Sequence, residues 1–274
     1  ATHFGLEREI GSLTPGRRAD VILTSDLSTF PVETVIARGE VVAEDGKCLV
    51  DCPHYAWPGT ARNTVNMARD LKAADFDIPA PEGANAVTAN VIGVVENQAP
   101  TRALKFELPV TEGRVQGTGE VCQIALVERH RATGTVTNAF VSGFGYEGRM
   151  AMASTVAHDS HHMIVVGTDA EEMARAANRL REVGGGITVF REGEELALVA
   201  LPIAGLMSDR PAAEVAADAD RLVQAMIDCG CKLNNAYMQH SLLALVVIPE
   251  LRISDLGLVD VQKFEIIPLL EPQT

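Results

Sequence analysis

Nine short apolar segments fall between residues 86 and 267, and only two stretches in that span carry a helical period. The segments are 86–96, 104–110, 122–128, 135–141, 163–167, 186–190, 196–201, 243–248 and 261–267. Their lengths and the turn residues between them suit strands. One helical pattern opens at Asp169, whose side chain is placed to cap while Glu172 reaches back to complete a capping box. Its apolar positions Met173, Ala176, Ala177, Leu180 and Val183 repeat along one face and stop at Gly184-Gly185-Gly186. The other pattern covers 211–229, with Pro211 at the first helical position and a stripe of Val215, Leu222, Val223, Met226 and Ile227. Helices segregated on a mixed sheet predict an α+β or α/β domain over 76–274.

The first 75 residues read differently. A turn-rich stretch, 11–20, leads into short strands at 21–23, 32–38 and 41–43, and Asp45-Gly46 marks a hairpin. So few apolar residues cannot build a core alone, which predicts that these strands complete a sheet whose other members lie elsewhere. A helix is expected over 60–73, capped by Thr60, with Val65, Met67, Ala68 and Leu71 on its apolar side. The proline-containing, acidic stretch 75–83 then marks a linker or domain boundary.

Charge and composition remove whole classes of partner. With 23 Lys+Arg against 37 Asp+Glu the chain carries a formal charge of -14, the wrong sign for nucleic acid or an anionic membrane. Aromatic residues are 4% of the chain, too few for a base-stacking platform. No apolar run reaches the ~20 residues of a membrane span, and no signal peptide is expected at the N-terminus. Five scattered cysteines, Cys48, Cys52, Cys122, Cys229 and Cys231, predict a reducing, cytoplasmic setting rather than a disulfide framework.

The densest polar cluster is Ala157-His158-Asp159-Ser160-His161-His162, which runs directly into the apolar segment 163–167. Imidazole ligates metals and titrates near neutral pH, and a neighbouring carboxylate can hold its tautomer. On a strand His158 and His162 share a face; on a helical turn His158, His161 and His162 point one way. The alternative is a loop of satisfied polar residues at a strand entrance. The glycine-rich 141–148 segment, with Gly143 and Gly145, lets backbone approach a ligand or simply forms a turn; it lacks the following helix of a dinucleotide fingerprint. Residues 201–208 suit a pocket wall. Cys229-Gly230-Cys231 reads as apolar filling at a helix end, and Glu128-Arg129-His130-Arg131 as a solvated, charged strand end.

In order along the chain, these segments resemble one family. The string Gly11-Ser12-Leu13-Thr14-Pro15-Gly16-Arg17-Arg18-Ala19-Asp20-Val21 is similar to the amidohydrolase-superfamily pattern where the chain leaves the metal-binding barrel for a small β-sandwich. Residues 153–167, with their His-Asp-Ser-His string, resemble the C-terminal region of the bacterial-type adenine deaminases, as do 127–130, 143–145, 184–186 and 201–208. This chain departs from many relatives in carrying His162 where Asn is expected. The resemblance implies 1–75 as the end of the barrel and part of the β-sandwich, and 76–274 as the C-terminal α+β domain. It implies metal-dependent hydrolytic deamination of adenine to hypoxanthine and ammonia. The divalent metal (manganese, iron or zinc) would be bound by the barrel, so no residue here is assigned as a ligand. On that reading His158, Asp159 and His161 are candidate catalytic residues lining or closing the barrel mouth, and Ser160, His162, Gly143 and Gly145 are candidate substrate contacts. The partners implied are adenine, the N-terminal barrel of the same enzyme and further copies in a homo-oligomer. A non-catalytic small-molecule binding domain and an oligomerisation domain are the competing readings.

Overall fold

The computed structural model of the chain describes residues 1–51, 53 and 55–272; Cys52 lies outside the described residues. By contacts the chain divides into two units, Ala1–Ala56 and Trp57–Thr274. The first is a four-stranded antiparallel sheet in the order β1 (Val21–Leu23), β2 (Thr34–Ala37), β3 (Glu40–Glu44) and β4 (Lys47–Cys48). Asp45 and Gly46 turn β3 into β4 with φ of 48° and 75°, the positive angles this dipeptide favours. None of the described residues of this unit is buried, and Ile22, Leu23 and Val41 are about half exposed. The sheet thus has the unfinished apolar character read from its sequence.

The second unit is built on a nine-stranded sheet. Its strands in chain order are β5 (Ala86–Gly93), β6 (Arg102–Thr111), β7 (Arg114–Val115), β8 (Val121–Val127), β9 (Val136–Ser142), β10 (Met150–Ser154), β11 (Met163–Gly167), β12 (Gly186–Arg191) and β13 (Glu194–Ala200). In space they run β13-β12-β10-β11-β8-β9-β5-β6-β7. Only β5 and β9 pair parallel, so the fold is α+β. A three-stranded antiparallel sheet, β14 (Leu251–Ser254), β15 (Gly257–Asp260) and β16 (Glu265–Ile267), and the helices α1 (Ala170–Val183), α2 (Ala212–Asp228) and α3 (Ala236–Leu242) complete the unit.

Strand alternation places two cores on the two faces of the large sheet. Ala125, Val127, Ala151, Ala153, Met163 and Val165 face Met173, Ala176, Ala177 and Leu180 of α1. Ile124, Leu126, Met150, Met152, Ile164 and Val166 face α2, α3 and the small sheet. Complete burial of Met173 and Leu180 contributes about 2 kcal/mol each.

At α1, Asp169 caps as expected, accepting the amides of Glu171 at 3.0 Å and Glu172 at 3.1 Å. The reciprocal half of the capping box does not form. Glu172 is buried and instead accepts the Gly193 amide at 3.0 Å, because the turn between β12 and β13 packs over the helix. Asp169→Ala is expected to destabilise the chain by about 1 kcal/mol, read as a lower urea midpoint; an unchanged midpoint would show that Arg149, 2.9 Å from Asp169, gains as much as the helix loses.

Four other expectations are corrected. Residues 60–73 are not a helix: one 3-10 turn, Gly59–Ala61, is followed by irregular chain, with Asn63 at φ of 55° and a second 3-10 turn starting at Ala73. Its backbone groups find partners elsewhere, the Leu71 amide and carbonyl both on the Asn178 side chain and the Asn66 amide on the Arg129 carbonyl. Met67, Leu71 and Phe76 nevertheless pack with α1, so the apolar side is used without the helix. Residues 243–248 are turns rather than a strand, since buried Arg252 takes the carbonyls of Leu242 and Ile248. Only the end of 261–267 is strand. Pro211 precedes α2 rather than opening it. Sequence reading also missed α3 and β10, whose Met-Ala-Met-Ala-Ser run lacks the β-branched residues that signal a strand.

Candidate functional site

Antiparallel pairing brings the polar motifs to one end of the nine-stranded sheet. Val127 at the end of β8 pairs with Met163 at the start of β11, Ser154 at the end of β10 with Ile187 of β12, and Gly186 with Ala200 of β13. The loops that follow these ends are 128–135, 155–162 and 201–208.

Residues 158–160 form a turn closed by the His161 amide on the Ala157 carbonyl at 2.7 Å. It joins two of the three histidines: the His158 and His161 rings meet edge to face at 5.3 Å. His162 directly precedes β11, and its ring lies instead 4.8 Å from His130. His158 is tied to α3 by its amide on the Ser241 carbonyl at 3.0 Å, and Asp159 and Ser160 are exposed. His162 is buried, with Nε2 3.8 Å from Asp255 Oδ2 and Nδ1 without a partner among the described residues. Burial lowers the pKa of both His161 and His162, helped by the nearby charges of His158 on the first and His130 on the second. Both rings are therefore biased to the neutral form.

Glu128-Arg129-His130-Arg131 reads from sequence as solvated; His130 and Arg131 are exposed as expected, and the burial of Glu128 and Arg129 is the main correction at the site. Arg129 is 1% exposed and Glu128 6%. Glu128 accepts the amides of His130, Arg131 and Thr133 and the Thr133 hydroxyl. Burial acts to raise its pKa, but these donors outweigh it and hold the carboxyl at about 2. His130 Nε2 lies 2.8 Å from the Ser160 carbonyl, so the histidine turn is held from the strand end beside it. Glu128 is satisfied by donors within five residues, whereas the burial of Arg129 is explained only by acceptors distant in sequence.

Gly143 and Gly145 lie at the opposite end of the sheet, beyond Ser142, which pairs with Val121. Gly145 there packs against the Gly230 backbone. A cavity of about 600 Å³ also opens at that end, lined by Arg114, Thr118, Gln123, Thr168 and Asp169 among others. A smaller space of about 140 Å³, between Asp159, Ser160, Val246, Val247 and Asp255, adjoins the histidine turn. Cys229 and Cys231 are buried fillers, their thiols pushed up by burial.

The donors at the histidine turn do not fit a metal. Among the described residues no three His, Cys, Asp or Glu side chains converge as a ligand set. His158 and His161 meet edge to face, whereas the His162 ring pairs with His130, and its Nδ1 has no partner among the described residues.

An α+β domain whose polar loops gather at one end of an open mixed sheet, with no closed barrel among the described residues, is the class this fold defines. Residues 98–265 match the adenine deaminase C-terminal domain, and the chain belongs to that family. A protein named adenine deaminase from Roseobacter denitrificans is 81% identical over 274 residues, covering 100% of this chain and 46% of the relative. Another of that name from Ruegeria sp. is 77% identical over 272 residues, 99% of this chain and 45% of the relative. One from Moorella thermoacetica is 41% identical over 269 residues, 97% of this chain and 45% of the relative. The chain therefore spans somewhat less than half the length of the curated relatives it matches. The family resemblance carried by the His-Asp-Ser-His string is borne out. No helix is long and apolar enough to cross a membrane among the described residues.

Proposed function

We propose that this chain acts as the C-terminal part of an adenine deaminase, in which adenine and water give hypoxanthine and ammonia. The observation that carries the reading is 81% identity along the whole chain to a protein named adenine deaminase. The divalent metal, manganese, iron or zinc, belongs on this reading to a barrel outside these residues. The unburied sheet of the first unit is then part of the small β-sandwich, completed by strands from that region.

In this scheme the turn carrying His158, Asp159, Ser160 and His161 approaches the barrel mouth, where the His161 imidazole, biased to its neutral form, holds or relays a proton while the loop excludes water. Gly143 and Gly145, at the far end of the sheet, shape the loop packed on Gly230. The described cysteines are free, three of them buried, which suits the reducing cytoplasm.

Ammonia release from adenine, followed for the 274-residue chain and for the full-length enzyme with each metal added, tests the reading. Activity is expected only in the full-length enzyme, where His158→Ala and His161→Ala should each lower kcat/KM by ~10-fold or more. Turnover by the 274-residue chain alone would overturn the placement of the chemistry. Unchanged kcat/KM in both variants would make the turn structural.

A further inference from the structure

Arg129 is 1% exposed, yet all its hydrogen bonds go to uncharged acceptors. Nε donates to the His161 carbonyl at 2.6 Å, Nη1 to the Thr64 carbonyl at 3.1 Å and Thr64 Oγ1 at 3.3 Å, and Nη2 to the Ala204 carbonyl at 3.2 Å. Removing a guanidinium from water without a counter-charge is costly, and burial pulls its pKa down to about 10. Filling the space alone would be served by leucine or methionine at no such cost. What an apolar side chain cannot do is bind three segments that lie 32, 65 and 75 residues away in sequence.

The three acceptors belong to the loops that meet at this end of the sheet. The Ala204 amide in turn donates to the Ala61 carbonyl at 2.6 Å, and Thr155 Oγ1 donates to the Gly205 carbonyl at 2.6 Å. Gly205 is the close wall of the pocket: a Cβ there would stand 3.0 Å from both Nη1 and Nη2. His130, the next residue, holds the adjoining Ser160 carbonyl. Two consecutive side chains thus fix two consecutive carbonyls of the histidine turn.

We propose that Arg129 is a positioning residue for turnover: by clamping the His161 carbonyl to Thr64 and Ala204 it sets the turn that carries His158, Asp159 and His161 in its working conformation. The proposal rests on the deaminase reading above. Lysine at this position keeps the charge but presents a single nitrogen, which cannot reach three diverging acceptors.

The test uses the full-length, metal-loaded enzyme with Arg129→Lys, Arg129→Ala and Gly205→Ala. It reads kcat and KM for adenine, together with amide hydrogen exchange of segments 60–68, 155–163 and 202–208. Arg129→Lys is expected to lower kcat by ~100-fold with KM changed by less than ~3-fold. Exchange should rise together in the three segments and stay unchanged in α1. Added guanidinium should restore part of the kcat of Arg129→Ala. Gly205→Ala, which displaces the guanidinium without removing it, should repeat the pattern at smaller size, and it serves if the arginine variants fail to fold. Unchanged exchange in 155–163 would overturn the clamp. Raised exchange with kcat within ~3-fold of wild type would overturn the role in turnover. A wild-type enzyme that leaves adenine intact would instead sink the deaminase reading, and the exchange data would then decide the clamp alone.

Discussion

Gly186→Ala is expected to remove the native fold of the second unit. At the start of β12 this residue has φ of +146°, a backbone angle that side-chain-bearing residues avoid. The space is also closed, since a Cβ would stand 2.2 Å from the Val199 carbonyl oxygen and 3.2 Å from Ala200 Cα. Both obstacles are backbone of β13, held by the pairing of Gly186 with Ala200 and Ile187 with Val199. No rotamer change relieves the clash; the edge strand itself must move. Strain at the angle and overpacking against rigid backbone together cost about 4 kcal/mol or more, a large part of the stability of a domain this size. The expected result is loss of soluble protein, or a urea midpoint lowered by that amount. A variant within about 1 kcal/mol of wild type would show that β13 detaches without consequence for the core. The same end of the sheet explains the run of glycines after α1, because a Cβ on Gly185 would stand 2.5 Å from Gly205 Cα.

Acid is expected to destabilise the chain well before its carboxylates protonate, and the group responsible is His240 on α3. Its ring is fully buried beside Phe144, 5.8 Å between centroids, and neither nitrogen has a hydrogen-bond partner among the described residues. Burial alone pushes its pKa down to about 3 from an ordinary 6.5. Between those values the unfolded chain carries the proton and the folded chain does not, so stability falls as pH falls from 6.5 toward 3. At pH 5 the loss is about 2 kcal/mol from this one residue. His161 and His162, lowered in the same direction, add to it. Glu128, held at about 2, acts in a later window: its contribution is complete above its ordinary 4.5 and disappears as pH drops through 2. Urea midpoints of wild type and His240→Leu at pH 7.5 and pH 5 separate these contributions. Wild type should lose about 2 kcal/mol more than the variant across that interval. Equal losses would mean that His240 finds a proton acceptor or reaches solvent in solution.

Local order was legible where a residue's own neighbours decide its structure. The strand 163–167 is β11 to the residue, the Asp169 cap and the inner face of α1 follow from spacing, and Asp45-Gly46 turns where its φ preference requires. The family could be read as well, because the His-Asp-Ser-His string and the segments around it survive as short contiguous motifs. What the sequence by itself determined, then, was the α+β class, the strongly patterned elements such as β11 and α1, and the family to which it belongs. The tertiary structure decided which polar residues are buried and what they hold. Arg129 looked solvated beside Glu128 and His130, yet it is buried because its acceptors at Thr64, His161 and Ala204 arrive from other loops. Residues 60–73 have a helical apolar side, yet they stay irregular because Asn178 and Arg129 satisfy backbone groups that a helix would have paired internally. The physical reason is the same in both. Periodicity reports which face of an element meets apolar neighbours, whereas a buried donor or acceptor needs a partner at hydrogen-bond distance, and only the assembled fold supplies it.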